Sequence, residues 1–154
     1  MYSLIAMAAL ATAEFCAEPI DGGRGELQFC RFEHAQTIYT PYFSVDIQPA
    51  WLAGVDQSGR RMMAKSSTRH GPATILVLAS ETRVWSGCRI EESESAIGSM
   101  VWSICDESAQ GLVQRKLTAQ GSDGYLSIVY SYTGTDTPVA ELVEQMLRSI
   151  RPQP

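Results

Sequence analysis

Two prolines, Pro41 and Pro49, bracket the segment from Tyr42 to Gln48, and between them Phe43, Val45 and Ile47 fall at every second position with Ser44 and Asp46 in the gaps. That alternation is the spacing of a strand with one buried face. A proline has no N–H to give a ladder, so the pair permits a strand of about seven residues and discourages extension at either end. Trp51 follows the second proline, and a side chain of that size buries most of its area on folding. The stretch from Ile38 to Trp51 is therefore expected at the centre of a small core.

The other elements are read against that strand. Glu14 to Gly25 is turn-forming, and Glu26 to Phe32 reads as a strand. Leu52 to Gly59, with two glycines, an aspartate and a serine, reads as a turn-rich connection, followed by a short strand from Arg60 to Lys65 and a polar loop from Ser66 to Pro72. Ala73 to Ala79 (A-T-I-L-V-L-A) is a continuous apolar run, expected to be a strand covered on both faces and interior to its sheet. Arg83 to Ile90 and Ser99 to Cys105 read as a hairpin around the polar stretch Glu91 to Gly98. That hairpin sets Cys88 across from Cys105 and Ile90 across from Ser103, and puts Trp85 and Trp102 on one face. A second hairpin, Leu112 to Gln120 and Tyr125 to Tyr132, turns on Gly121-Ser122-Asp123-Gly124. In its second strand Leu126, Ile128, Tyr130 and Tyr132 share a face.

The C-terminus carries the clearest helix. Asp136 or Thr137 caps it, Pro138 suits its first turn, and Val139, Leu142, Val143, Met146, Leu147 and Ile150 recur at helical spacing. One apolar stripe means a docked face. Glu141, Glu144, Gln145, Arg148 and Arg151 take the solvent side, and Pro152 stops the helix. The expected fold class is α+β: a single domain, mostly antiparallel sheet, with a C-terminal amphipathic helix packed on it.

With 154 residues, 45% hydrophobic and 19% charged, the chain is long enough to bury its own core. A net charge of −5, with basic pairs only at Arg60-Arg61 and Arg115-Lys116, argues against a nucleic-acid partner, since binding phosphate backbones needs clustered Lys and Arg. Leu4 to Ala11 is an uncharged apolar run followed by Ala11-Thr12-Ala13, the small-x-small pattern that a signal peptidase accepts. Residues 1–13 are read as a signal peptide and 14–154 as the domain, exported to the periplasm. The run is too short to span a bilayer, so no transmembrane anchor is expected.

Four cysteines, Cys16, Cys30, Cys88 and Cys105, fit an oxidising compartment and two disulfides. Cys88 with Cys105 follows from the first hairpin. Cys16 with Cys30 closes a loop of about fifteen residues, worth about 3 kcal/mol in the chain-entropy model. No C-x-x-C pair exists, and with only His34 and His70 available a structural zinc site is not supported. No EF-hand spacing is present, so neither a metal nor a cofactor is assigned.

The strand Tyr42 to Pro49 followed by Trp51, the series of antiparallel strands, and the closing helix ending in L-R-S-I-R-P (Leu147 to Pro152) together resemble the Mog1/PsbP-like α+β fold over Thr40 to Pro152. The order of elements is also similar to that of small periplasmic immunity proteins, which block peptidoglycan-cleaving toxins of type VI secretion. The resemblance implies a protein that binds other proteins rather than an enzyme. The contact element expected from the sequence is the acidic stretch with Glu91, Glu92 and Glu94, three carboxylates suited to a basic cleft. An immunity protein against a basic cell-wall hydrolase is the leading reading. An envelope accessory or assembly factor, offering an apolar patch, is the first alternative. A small hydrolase is the second: no G-x-S-x-G elbow is present, neither histidine has a neighbouring nucleophile, and carboxylates acting as an acid and base pair must face each other across a cleft. No catalytic residue is assigned.

Overall fold

The computed structural model describes residues 15–16, 29–31, 34–49, 51–66, 73–85, 91–97, 100–121, 123–133 and 137–153, of which 15–16, 91–94 and 137 are described by backbone alone. Twelve strands and one helix are described: β1 (Phe15–Cys16), β2 (Cys30–Arg31), β3 (Gln36–Tyr39), β4 (Phe43–Ile47), β5 (Trp51–Val55), β6 (Arg61–Ser66), β7 (Ala73–Ser80), β8 (Glu91–Ile97), β9 (Met100–Asp106), β10 (Leu112–Gly121), β11 (Gly124–Thr133), α1 (Thr137–Ser149) and β12 (Arg151–Pro152). They form a nine-stranded sheet in the order β1-β2-β5-β6-β7-β11-β10-β9-β8 and a three-stranded sheet in the order β12-β4-β3. Every strand pair in both sheets is antiparallel.

The strand between the prolines is β4, the middle of the small sheet, and Phe43, Val45, Ile47 and the following Trp51 are all fully buried. Helix α1 lies beside it, with Val139, Val143, Met146, Leu147 and Ile150 in the same core cluster. That second layer covers one face of the large sheet, to which Met62, Ala64, Ile75, Val77, Trp102, Leu117 and Ile128 contribute. Strand β7 occupies the middle of the large sheet, as its apolar run predicts, but its burial alternates. Ala73, Ile75, Val77 and Ala79 face the core, while Thr74, Leu76 and Leu78 are half-buried on the other face. The tyrosine row on β11 also turns inward, with Tyr130 buried and stacked on Tyr132 at 6.3 Å between ring centroids.

Several readings of the sequence are overturned. Trp51–Val55 is a strand, not part of a turn-rich connection, and the reversal is confined to Asp56 through Arg60. Gly54 weakens the local strand signal, but pairing with β6 on one side and β2 on the other decides the conformation. Likewise Glu91 to Ile97 is strand β8 and not the tip of a hairpin. It sets Glu91, rather than Cys88, opposite Cys105, and its register shifts between Glu92 and Ser95. A polar composition suits a strand at the margin of a sheet, which is what β8 is. Arg83 to Trp85 form no strand, and residues 86–90 lie outside the described residues, as do most of 26–32, the loop 67–72 with His70, and the segment 1–13.

The tryptophans also separate. Trp102 points into the core and donates from Nε1 to the Ile97 carbonyl at 3.0 Å. Trp85 packs under the Lys116 ammonium, 5.3 Å from the ring centroid, and Lys116 pairs with Cys105 on the opposite face of the sheet. Cys30 and Cys105 are both disulfide-bonded, and among the described residues no cysteine is free. The β1–β2 ladder sets Cys16 directly opposite Cys30.

Candidate functional site

Two places on the molecule offer a surface of distinct chemistry. The first is strand β8, the terminal strand of the large sheet, paired only with β9 among the described residues. Three of its first four residues are Glu91, Glu92 and Glu94. The structure therefore keeps these three residues on one element, but as a bulged edge strand and not a protruding loop.

The second is an open cleft of about 460 Å³ at one end of the molecule, where three chain reversals meet the end of β7. Its first wall is the β3–β4 turn. Thr40 Oγ1 donates to the Phe43 carbonyl at 3.0 Å and accepts the backbone N–H groups of Tyr42 and Phe43, which fixes Pro41 and Tyr42 in place. Its second wall is the β5–β6 turn. There the Asp56 carboxylate accepts the Ser58 hydroxyl at 3.0 Å and the Arg61 backbone N–H at 3.2 Å, presenting Arg60 between them. Gly59, at φ 75°, presses on Pro41 so closely that a Cβ would lie 2.7 Å from the proline ring. The Arg60 guanidinium lies over the Tyr42 ring, 4.4 Å from its centroid. The remaining walls are Ser80 and Glu81 after β7, the β10–β11 turn with Asp123 and Tyr125, Met100 of β9, and the C-terminal Pro152 and Gln153. The Gln153 N–H donates to the Tyr42 carbonyl at 2.9 Å, holding the chain end against the cleft.

Charges in the cleft are left unneutralised. Arg60, Glu81 and Asp123 all line it, yet none of the three belongs to an ion pair among the described residues. The other basic pair of the sequence behaves differently. Arg115 reaches the Asp106 carboxylate at 3.4 Å and the Tyr130 hydroxyl at 3.3 Å on the core side, while Lys116 lies on the far face. His34 is exposed and does not line the cleft, and His70 lies outside the described residues. Among the described residues three buried polar atoms lack hydrogen-bond partners, Nε1 of Trp51 and of Trp85 and Oγ of Ser127, and none of these residues lines the cleft.

The cleft was not legible in the sequence, because its charged residues come from three separate connections. Among the described residues no group of His, Cys, Asp and Glu is arranged to hold a metal ion, and no helix is long and apolar enough to cross a membrane.

By its fold the chain is an α+β protein of mostly antiparallel sheet closed by one C-terminal helix. No protein-family model matches it, and no curated protein matches it.

Proposed function

We propose that this chain is an exported, non-enzymatic protein-binding domain that receives a basic partner along the acidic edge of its large sheet. The observation that carries this reading is the placement of Glu91, Glu92 and Glu94 on the terminal strand β8. An open strand edge is a template for another chain, and natural proteins guard it with charges and bulges. Strand β8 has both, so an indiscriminate strand is repelled while a partner of complementary charge gains steering and backbone pairing.

The oxidised state of Cys30 and Cys105 fits the periplasm, as does the apolar run from Leu4 to Ala11. The similarity in element order to type VI secretion immunity proteins makes a basic cell-wall hydrolase the first partner to test. Immobilised chain beginning at Glu14 is expected to retain such a hydrolase from periplasmic extract and to suppress its activity. A variant with all three glutamates changed to lysine should lose it. Unchanged retention by that variant removes β8 from the interface, and recovery of an envelope assembly component instead favours the accessory-factor alternative.

A further inference from the structure

We propose that the cleft at the meeting of the three reversals binds a short zwitterionic peptide, its carboxylate on Arg60 and its ammonium group facing Glu81 and Asp123. The guanidinium of Arg60 lies over the Tyr42 ring, 4.4 Å from its centroid, and has no carboxylate partner among the described residues. A guanidinium engaged through a ring contact keeps N–H donors for a carboxylate, which such a group takes with two parallel hydrogen bonds. Glu81 and Asp123 are exposed carboxylates on the same cleft, also outside any ion pair among the described residues. A ligand that carries both charges can meet Arg60 and these two carboxylates at once.

The walls hold the charges apart. The turn carrying Asp123 is pinned because Gly124, at φ 143°, lies where a Cβ would stand 2.5 Å from the Ser80 carbonyl oxygen, next to Glu81. The turn carrying Arg60 is pinned by Gly59 against Pro41. A ligand therefore meets preset groups and loses less affinity to ordering them. At about 460 Å³ the cleft accepts a peptide of about two or three residues, and Tyr125 and Met100 offer apolar wall to a side chain.

The site is separate from β8, so the test leaves the edge untouched. The whole chain, isotope-labelled, is titrated with the tripeptide Gly-Leu-Gly and followed by backbone amide shifts. Saturable shifts confined to Arg60, Glu81 and the Gly121 to Tyr125 turn are expected. Amidating the peptide's carboxylate should weaken binding by about tenfold or more, as expected for a lost charge-assisted bond. Acetylating its amine should weaken it by about fivefold. Arg60→Ala should reduce affinity for the free peptide to that of the amide and leave the amide's own affinity unchanged. Absence of saturable shifts up to about 10 mM peptide overturns the proposal, as does an amidation effect within about twofold. Equal binding of the acetylated peptide also overturns it, pointing instead to the C-terminal tail of a protein. The two derivatives act on the unmodified chain, so the outcome does not depend on how any variant folds.

Discussion

The backbone N–H of Asp46 donates to Ser149 Oγ at 3.0 Å across 103 positions of the chain, and the same hydroxyl donates to the Met146 carbonyl at 2.6 Å. One side chain thus closes the last turn of α1 and ties it to β4, two residues before Arg151 takes up the ladder opposite Ser44. Ser149→Ala removes the partner of both groups. It is expected to cost about 1–2 kcal/mol in urea denaturation, while Ser149→Thr, which keeps the hydroxyl, should cost less. Equal stability of the alanine variant and the native chain would show that the bridge contributes nothing.

Gly124 and Gly111 both have positive φ, at 143° and 77°, but only Gly124 is pressed against neighbouring backbone. Gly111→Ala meets open space and should cost only the left-handed conformation, about 1–2 kcal/mol. Gly124→Ala must also move the Ser80 carbonyl and is expected to cost more, about 3 kcal/mol or above. Thermal unfolding of the two variants side by side checks the order.

Burial raises the Tyr130 phenol above its ordinary 10.0, partly offset by the hydrogen bond and the charge of Arg115, with Tyr132 and Asp106 adding to the rise. Above pH 10 the folded chain retains a proton that the unfolded chain has released. This contribution to stability is complete below pH 10 and declines as pH rises through the folded value. Tyr130→Phe should therefore flatten the loss of stability measured by denaturant titration as pH rises above 10. An unchanged slope would mean that Tyr130 titrates alike in both states.

Peptide mapping without reductant is expected to return Cys16 joined to Cys30 and Cys88 joined to Cys105. Register already sets Cys16 opposite Cys30. Replacing both members of that pair with serine should lower stability by about 3 kcal/mol, the entropy of a closed loop of about fifteen residues. A crossed pairing in the map would contradict the expectation.

Arg148 lies 3.5 Å from Glu144 on the open side of α1, and both side chains are more than half exposed. Glu144→Ala should change stability by less than about 0.5 kcal/mol. Met146→Ala, on the opposite and fully packed side, should cost about 2–5 kcal/mol. The contrast is read from chemical denaturation midpoints.

Where one face of an element is dry, its position was legible beforehand. The alternation at Phe43, Val45 and Ile47, the run in β7, the β10–β11 hairpin and the stripe on α1 all record contact with the core. Legibility failed where pairing, not local composition, decides. Strand β5 contains a glycine and β8 is mostly polar, yet both are strands because a neighbour's ladder satisfies their backbone groups. The acidic residues of β8 were visible from the start. Their setting on a sheet edge was not, since an exposed loop and an edge strand have similar compositions.

What the sequence determined by itself was the burial period of β4, β11 and α1, the place of the chain-reversing glycines and prolines, and the supply of charge. Those are local properties, fixed by side-chain chemistry and by the φ angles that glycine and proline permit. Tertiary structure alone decided that the first turn-rich segment pairs as β5, that Trp85 and Trp102 lie on opposite faces, and that Arg60, Glu81 and Asp123 share one cleft. The reason is physical: those outcomes depend on which strands lie side by side, and sheet order is settled by the energy of closing the whole core rather than by any one segment of it.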